Sequence, residues 1–173
     1  MRTKIRTTLT LAIAAIVATT TLSLATTTAS ASSTPHRTQT CQVFLHKLKP
    51  GQQTSDVASS RCSDNPDEFR TSGWIILAKL YVDAEYRGRV TYLNGLDGPC
   101  DSAGYGWRDL SDIAPDGSGA DNSVSSFQVL EGCTWSQMYD GVNYSGDVKY
   151  GHGNYAFIGH EMNDRMSSMI LHA

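Results

Sequence analysis

The chain has 173 residues, is 40% hydrophobic and 18% charged, and carries a formal net charge of −3. That length suits one domain with a short appendage and is enough to bury a core. The acidic balance argues against nucleic acid or an anionic membrane as partner, since both favour a basic face.

Met1, Arg2, Lys4 and Arg6 make a basic start free of acids, followed by an apolar stretch from Leu9 to Leu24 that Thr19, Thr20 and Thr21 thin out. Ala29-Ser30-Ala31 then offers an A-x-A cleavage site. Residues 1–31 read as a secretory signal peptide, because the apolar run is too short and too broken for an anchor. Removing them leaves 11 Lys and Arg against 17 Asp and Glu, a net charge of −6 on residues 32–173. No later run is apolar and long enough to span a bilayer, so a secreted, extracellular protein with no membrane partner is expected.

Residues 32–40 (SSTPHRTQT) are polar, contain a proline and lack periodicity, which marks a flexible leader. Residues 41–73 form an N-terminal extension. A strand is expected at Cys41–Leu45, a turn at Lys49-Pro50-Gly51-Gln52, a returning strand at Ser59–Ser63 and another turn at Asp64-Asn65-Pro66-Asp67. The pattern changes at Trp74, and short strands are expected at 74–82, 89–93, 124–130, 138–139, 148–150, 155–158 and 168–172, with Gly, Asp and Asn between them. Many short strands with frequent turn signals indicate an all-β sandwich or barrel.

The four cysteines, Cys41, Cys62, Cys100 and Cys133, all follow the signal segment, and none has C-x-x-C spacing. An even number in an exported chain indicates two disulfides. Three connectivities are open, and the expected one is Cys41–Cys62 with Cys100–Cys133, because each pair falls within one segment.

Internal repetition is the most informative feature. Tyr81-Val-Asp-Ala-Glu-Tyr86-Arg-Gly88 and Tyr139-Asp-Gly-Val-Asn-Tyr144-Ser-Gly146 share one aromatic and glycine spacing. Asp121-Asn122-Ser123-Val124-Ser125-Ser126 is echoed by Asn163-Asp164-Arg165-Met166-Ser167-Ser168, and each is followed by apolar alternation, Phe127/Val129 and Met169/Leu171. From glycine to motif the first copy runs 33 positions and the second 17, so the first holds 16 extra residues within 94–120.

On these residues the stretch from about Leu80 to Ala173 resembles a βγ-crystallin domain, and the secreted actinobacterial type in particular. The resemblance implies a double Greek-key β-sandwich over residues 74–173, with key one at about 80–130 and key two at about 138–173. The doubled [Asn/Asp]-[Asn/Asp]-x-x-Ser-Ser pattern matches that family's calcium signature. Carried over, two Ca2+ ions would be held by the side chains of Asp121 and Asn163 and the hydroxyls of Ser125 and Ser167. Backbone carbonyls of Ser123 and Arg165, and one carbonyl from each hairpin near Ala84 and Val142, would complete the set. The Arg165 side chain then has to point away from the ion. Ser126 and Ser168 are expected to hold the fold by hydrogen bonding. Asp, Asn, Ser and carbonyl oxygens suit a hard cation, and the absence of a soft ligand cluster disfavours zinc and copper.

Other signals carry less. His160-Glu161 begins an H-E-x-x-H pattern, but Arg165 stands beyond the place of the second His. Asp116-Gly117-Ser118-Gly119 lacks the first glycine of a hydrolase elbow, and Asp83 and Glu85 read as solvated turn acids. Tyr105, Trp107 and Trp135 read as packing aromatics before they read as a binding face. No nucleophile–base pair is evident, so an enzyme is not expected. A calcium-stabilised monomer is the leading expectation. The alternatives on the same scaffold are an inhibitor of a secreted metallopeptidase, which would use the insert at 94–120, and an antimicrobial or killer-toxin-like protein, which the acidic charge disfavours.

Overall fold

The computed structural model describes residues 39–69, 73–113 and 120–173. The expected signal peptide and most of the leader lie outside these residues. The described part belongs to one compact unit, Thr34–Ala173.

Nine strands account for it: β1 (Thr40–Leu45), β2 (Val57–Ser63), β3 (Ile75–Asp83), β4 (Arg87–Gly95), β5 (Tyr105–Trp107), β6 (Ser126–Val129), β7 (Trp135–Gly141), β8 (Ser145–His152) and β9 (Ser168–His172). They form two sheets, β2-β1-β4-β3-β6 and β5-β9-β7-β8. Strands β4-β3-β6 in one sheet and β8-β7-β9 in the other repeat one arrangement, in which a hairpin is joined on its first strand by the last strand of the unit. The third element of each unit crosses to the opposite sheet. β5, from the first unit, pairs with β9 of the second, while Tyr155, from the second unit, bridges Phe127 on β6 of the first. The result is a double Greek-key β-sandwich whose halves exchange one strand position.

Alternation along each strand builds the core between the sheets. Val43 and Leu45 of β1, Leu77 of β3, Leu93 of β4, Phe127 of β6, Met138 of β7 and Met169 and Leu171 of β9 are all buried in one cluster, joined by Ile158, Met162 and Met166 from the loops. Phe127 stacks on Tyr155 at 5.3 Å between centroids, which anchors the exchanged segment.

Two local expectations change. Residues 155–158 do not form a strand, because only Tyr155 makes a bridge before the chain turns toward Gly159. Tyr105-Gly106-Trp107, which carries no alternation of its own, is a buried strand held by β9. Tyr105 and Trp107 are therefore core residues, whereas Trp135 remains 47% exposed, edge-on to His152.

Both disulfides pair as expected: Cys41–Cys62 closes the β1–β2 hairpin at directly opposed positions, and Cys100–Cys133 ties the insert to the turn before β7. The extension, however, does not close on itself. β1 runs parallel to β4, from Cys41 beside Thr91 to Leu45 beside Gly95, and its inward side chains enter the common core. The segment between β1 and β2 then crosses to the other sheet as a strap. Leu48 N–H donates to Gly104 O (3.0 Å) and Ser55 N–H to Gly106 O (2.8 Å), covering the edge at β5. The insert is bound to the same strap: His46 Nδ1 meets Asp97 at 3.1 Å and Lys47 Nζ donates to Asp101 at 2.9 Å.

Tyr105 sits under this junction, its hydroxyl donating to Gly98 O at 2.7 Å. Burial, reinforced by the Asp97 charge, pushes its phenol from 10.0 up to about 12. The neutral form is favoured in the fold, so its stabilising contribution is complete below the unfolded value and is lost as pH rises through the folded one. In an alkaline absorbance titration, one of the eight tyrosines is expected to ionise last, between pH 10 and about 12, together with unfolding. If Tyr105→Phe leaves that late phase in place, the assignment is wrong.

Candidate metal centre

The two repeats share a set of equivalent backbone conformations and hydrogen bonds at one end of the sandwich. In each hairpin two successive residues lie in the left-handed region, Glu85 (φ 60°) with Tyr86 (59°) and Asn143 (55°) with Tyr144 (59°), before a glycine at 76° (Gly88) or 78° (Gly146). That region is costly for residues with a Cβ and persists only where neighbours enforce it. Here the enforcement is a serine. Ser126 Oγ donates to Asp83 O (2.6 Å) and accepts from Tyr86 N–H (3.1 Å). Ser168 Oγ donates to Gly141 O (2.7 Å) and accepts from Tyr144 N–H (3.0 Å). The last serine of each motif is thus a latch on its own hairpin. Edge-to-face pairs Tyr81–Tyr86 (5.8 Å) and Tyr139–Tyr144 (5.7 Å) close each hairpin from the other side. Ser126→Ala or Ser168→Ala strands a backbone N–H and a carbonyl together, and each is expected to cost about 1–3 kcal/mol in denaturant unfolding. A change within error in both would remove the latch from the account.

The motif loops cross the seam between the keys. Asn122 N–H donates to Met166 O and Asp164 N–H to Val124 O, both at 3.1 Å. Asn122 (φ 50°) and Asp164 (55°) occupy the left-handed region, which Asn and Asp tolerate best among residues with a Cβ. Ser125 N–H donates to Tyr81 O (2.9 Å) and Ser167 N–H to Tyr139 O (2.8 Å), fixing both serines beside the first aromatic of their hairpin. Ser125 Oγ reaches Asp164 Oδ1 in the other key at 3.3 Å, and Ser167 Oγ lies 3.4 Å from the carbonyl of Arg165.

The first residue of each motif is the unusual one. Asp121 Oδ2 accepts from Asn122 Nδ2 (2.8 Å), and Asn163 Nδ2 donates to Asp164 Oδ2 (2.8 Å). The other carboxylate oxygen of Asp121, Oδ1, and the amide oxygen of Asn163, Oδ1, are buried without a hydrogen-bond partner. An unpartnered buried oxygen is costly, and here the cost arises twice at equivalent positions. A hard cation is the species that two such oxygens fit, with hydroxyls and carbonyls close by. Among the described residues there is no group of three or more His, Cys, Asp or Glu that could hold a metal.

The cation of Arg165 does not face this centre. Its guanidinium pairs with Asp140, lies 3.6 Å from Asp147, and donates to Glu161 O at 2.9 Å. Each hairpin carbonyl is capped by its own chain: Arg87 Nε donates to Ala84 O (3.4 Å) and Ser145 Oγ to Val142 O (2.6 Å). Arg89 Nη2 lies 3.5 Å from the hydroxyl of Ser123. Sequence reasoning placed all eight candidate metal residues on these two loops and hairpins, but it did not find Arg87 and Ser145, whose roles follow only from the hairpin conformation.

No protein-family model matches the chain, and no curated protein matches it. Similar solved structures are bacterial βγ-crystallin domains. A double mutant of clostrillin in complex with nickel is 18% identical, with 56% of this chain and 98% of that chain covered and a TM-score of 0.43. A double mutant of a βγ-crystallin domain from Clostridium beijerinckii is 22% identical, covering 56% and 96%, with a TM-score of 0.41. A domain from Flavobacterium johnsoniae is 18% identical, covering 56% and 94%, with a TM-score of 0.41. The strand order and exchange described above are themselves those of a βγ-crystallin-like double Greek key.

Proposed function

We propose that this is a secreted calcium-binding protein, monomeric, in which ions at the seam and two disulfides stabilise the double Greek key. The observation that carries the reading is the pair of buried, unpartnered oxygens, Asp121 Oδ1 and Asn163 Oδ1, on equivalent loops. When bound, calcium supplies positive charge that these oxygens lack. The chain supplies the rest: Asp121, Asn163, Ser125 and Ser167 offer side-chain oxygens, and Ser123, Arg165, Ala84 and Val142 offer carbonyls. Ser125 reaches across to Asp164, so occupancy on one side is coupled to the other key.

Calorimetric titration of the exported protein with calcium tests the reading. Two ions are expected, at roughly 10⁻⁶ to 10⁻³ M because the donors are largely neutral. Magnesium is expected to compete poorly, since it requires a tighter octahedron. No heat with millimolar calcium would overturn the proposal. Export is tested by mass spectrometry of the culture supernatant, where a product starting at or near Ser32 is expected. A cell-bound chain retaining Leu9–Leu24 would contradict it.

A further inference from the structure

We propose that the two ion positions are unequal and that Arg87 sets the difference, an inference that rests on the calcium reading above. The hairpins match in backbone conformation at Glu85/Asn143, Tyr86/Tyr144 and Gly88/Gly146. Their capping side chains do not match. Ala84 O is covered by Arg87 Nε and Val142 O by Ser145 Oγ. A hydroxyl is neutral, rotates freely and offers its own lone pairs to a cation. A guanidinium is permanently charged, has only donors and repels a dication.

The surroundings deepen the contrast. Residues 81–89 carry two acids, Asp83 and Glu85, and two arginines, Arg87 and Arg89, whereas residues 139–147 carry two acids, Asp140 and Asp147, and no cation. The motif loop brings Arg165 to the second hairpin, where two carboxylates already meet its charge, and the Arg108 charge lies on the far side, near the Tyr144 hydroxyl. Arg87 makes no ion pair among the described residues, so its charge is left facing the Ala84 carbonyl. The second hairpin is also buttressed from outside the repeats. Both hairpins are anchored through the backbone at the same position, Asn143 N–H to Arg108 O and Glu85 N–H to Ala156 O, each at 2.7 Å, but Thr54 Oγ1 in the strap also lies 3.0 Å from the Tyr144 hydroxyl. A hairpin held in place loses less freedom on binding. The position beside Val142 is therefore the tighter one, and the position beside Ala84 the weaker.

The test is an amide-shift titration of the exported protein with calcium chloride, followed by NMR at each hairpin. Amides of residues 141–146 are expected to move first, and those of residues 83–88 at about tenfold higher calcium, a difference of about 1.4 kcal/mol. Arg87→Ser copies the second hairpin and is expected to bring the two midpoints within about threefold, while Arg87→Lys keeps them apart. The ion-free melting temperature serves as control and is expected to be unchanged in Arg87→Ser, because the side chain is exposed. Equal midpoints in the wild type, or a weak site that Arg87→Ser leaves unmoved, overturn the inference while leaving calcium binding intact. A wild type whose amides do not move at either hairpin removes the calcium reading and the inference with it.

Discussion

A chain starting at Gly73, without β1, β2 and the strap, is expected to lose its cooperative thermal transition. The part that remains contains every strand of the two keys, so an account based on the repeats alone predicts a folded product. The packing predicts otherwise. Val43 and Leu45 are 0% and 1% exposed, and each buries a side chain whose removal from water is worth about 1.5–3 kcal/mol. Truncation also uncovers Leu93, which lies beside Val43 in the same sheet and belongs to the same buried cluster, and opens the edges of β4 and β5 together. Domains of this size have about 5–15 kcal/mol in total, so losses of this order are decisive. Circular dichroism melting and limited proteolysis read the outcome. A sharp transition within a few degrees of the full protein would show the extension to be an appendage.

The second large effect separates a cation site from a capped turn. In millimolar calcium the wild type is expected to melt higher, by about 2.7 kcal/mol per site at ~100-fold over the dissociation constant. The double variant Asp121→Ala, Asn163→Ala is expected to lose that response completely. In chelator the same variant is expected to lie within about 1 kcal/mol of the wild type, because Asp121 Oδ1 and Asn163 Oδ1 have no partner to lose and the two bonds that go, to Asn122 and Asp164, are exposed contacts between sequence neighbours. The opposite pattern, a variant destabilised in chelator and still responsive to calcium, would mark Asp121 and Asn163 as turn residues and place the ion elsewhere.

Much of this centre was legible because its chemistry is local. The second position of each motif must adopt a left-handed backbone, which selects Asn122 and Asp164. The last position must latch a hairpin whose two residues share that strain, which selects Ser126 and Ser168. Such requirements recur with the repeat and leave a readable spacing. The disulfides were legible for the same reason, each closing within one segment. What was not legible depends on distant partners. Tyr105-Gly106-Trp107 is a strand because β9 lies beside it, and three residues show no period. Residues 155–158 have the composition of a strand, but only Tyr155 meets a partner. The parallel seat of β1 beside β4 leaves no turn signal at all, since the connection between them passes through the strap, β2 and β3.

That parallel seat also sets an order in time. The bond from Asn94 Nδ2 to Val43 O joins residues 51 positions apart, whereas Cys41 and Cys62 are separated by 21. Closing the longer loop requires β4 to exist first, and non-local pairings of this kind are slow. A chain emerging from its N-terminus presents β1 long before its partner. The β1–β2 hairpin, already clasped by Cys41–Cys62, is thus expected to wait as a small preformed piece and to dock last, so that an oxidising compartment shortens the search.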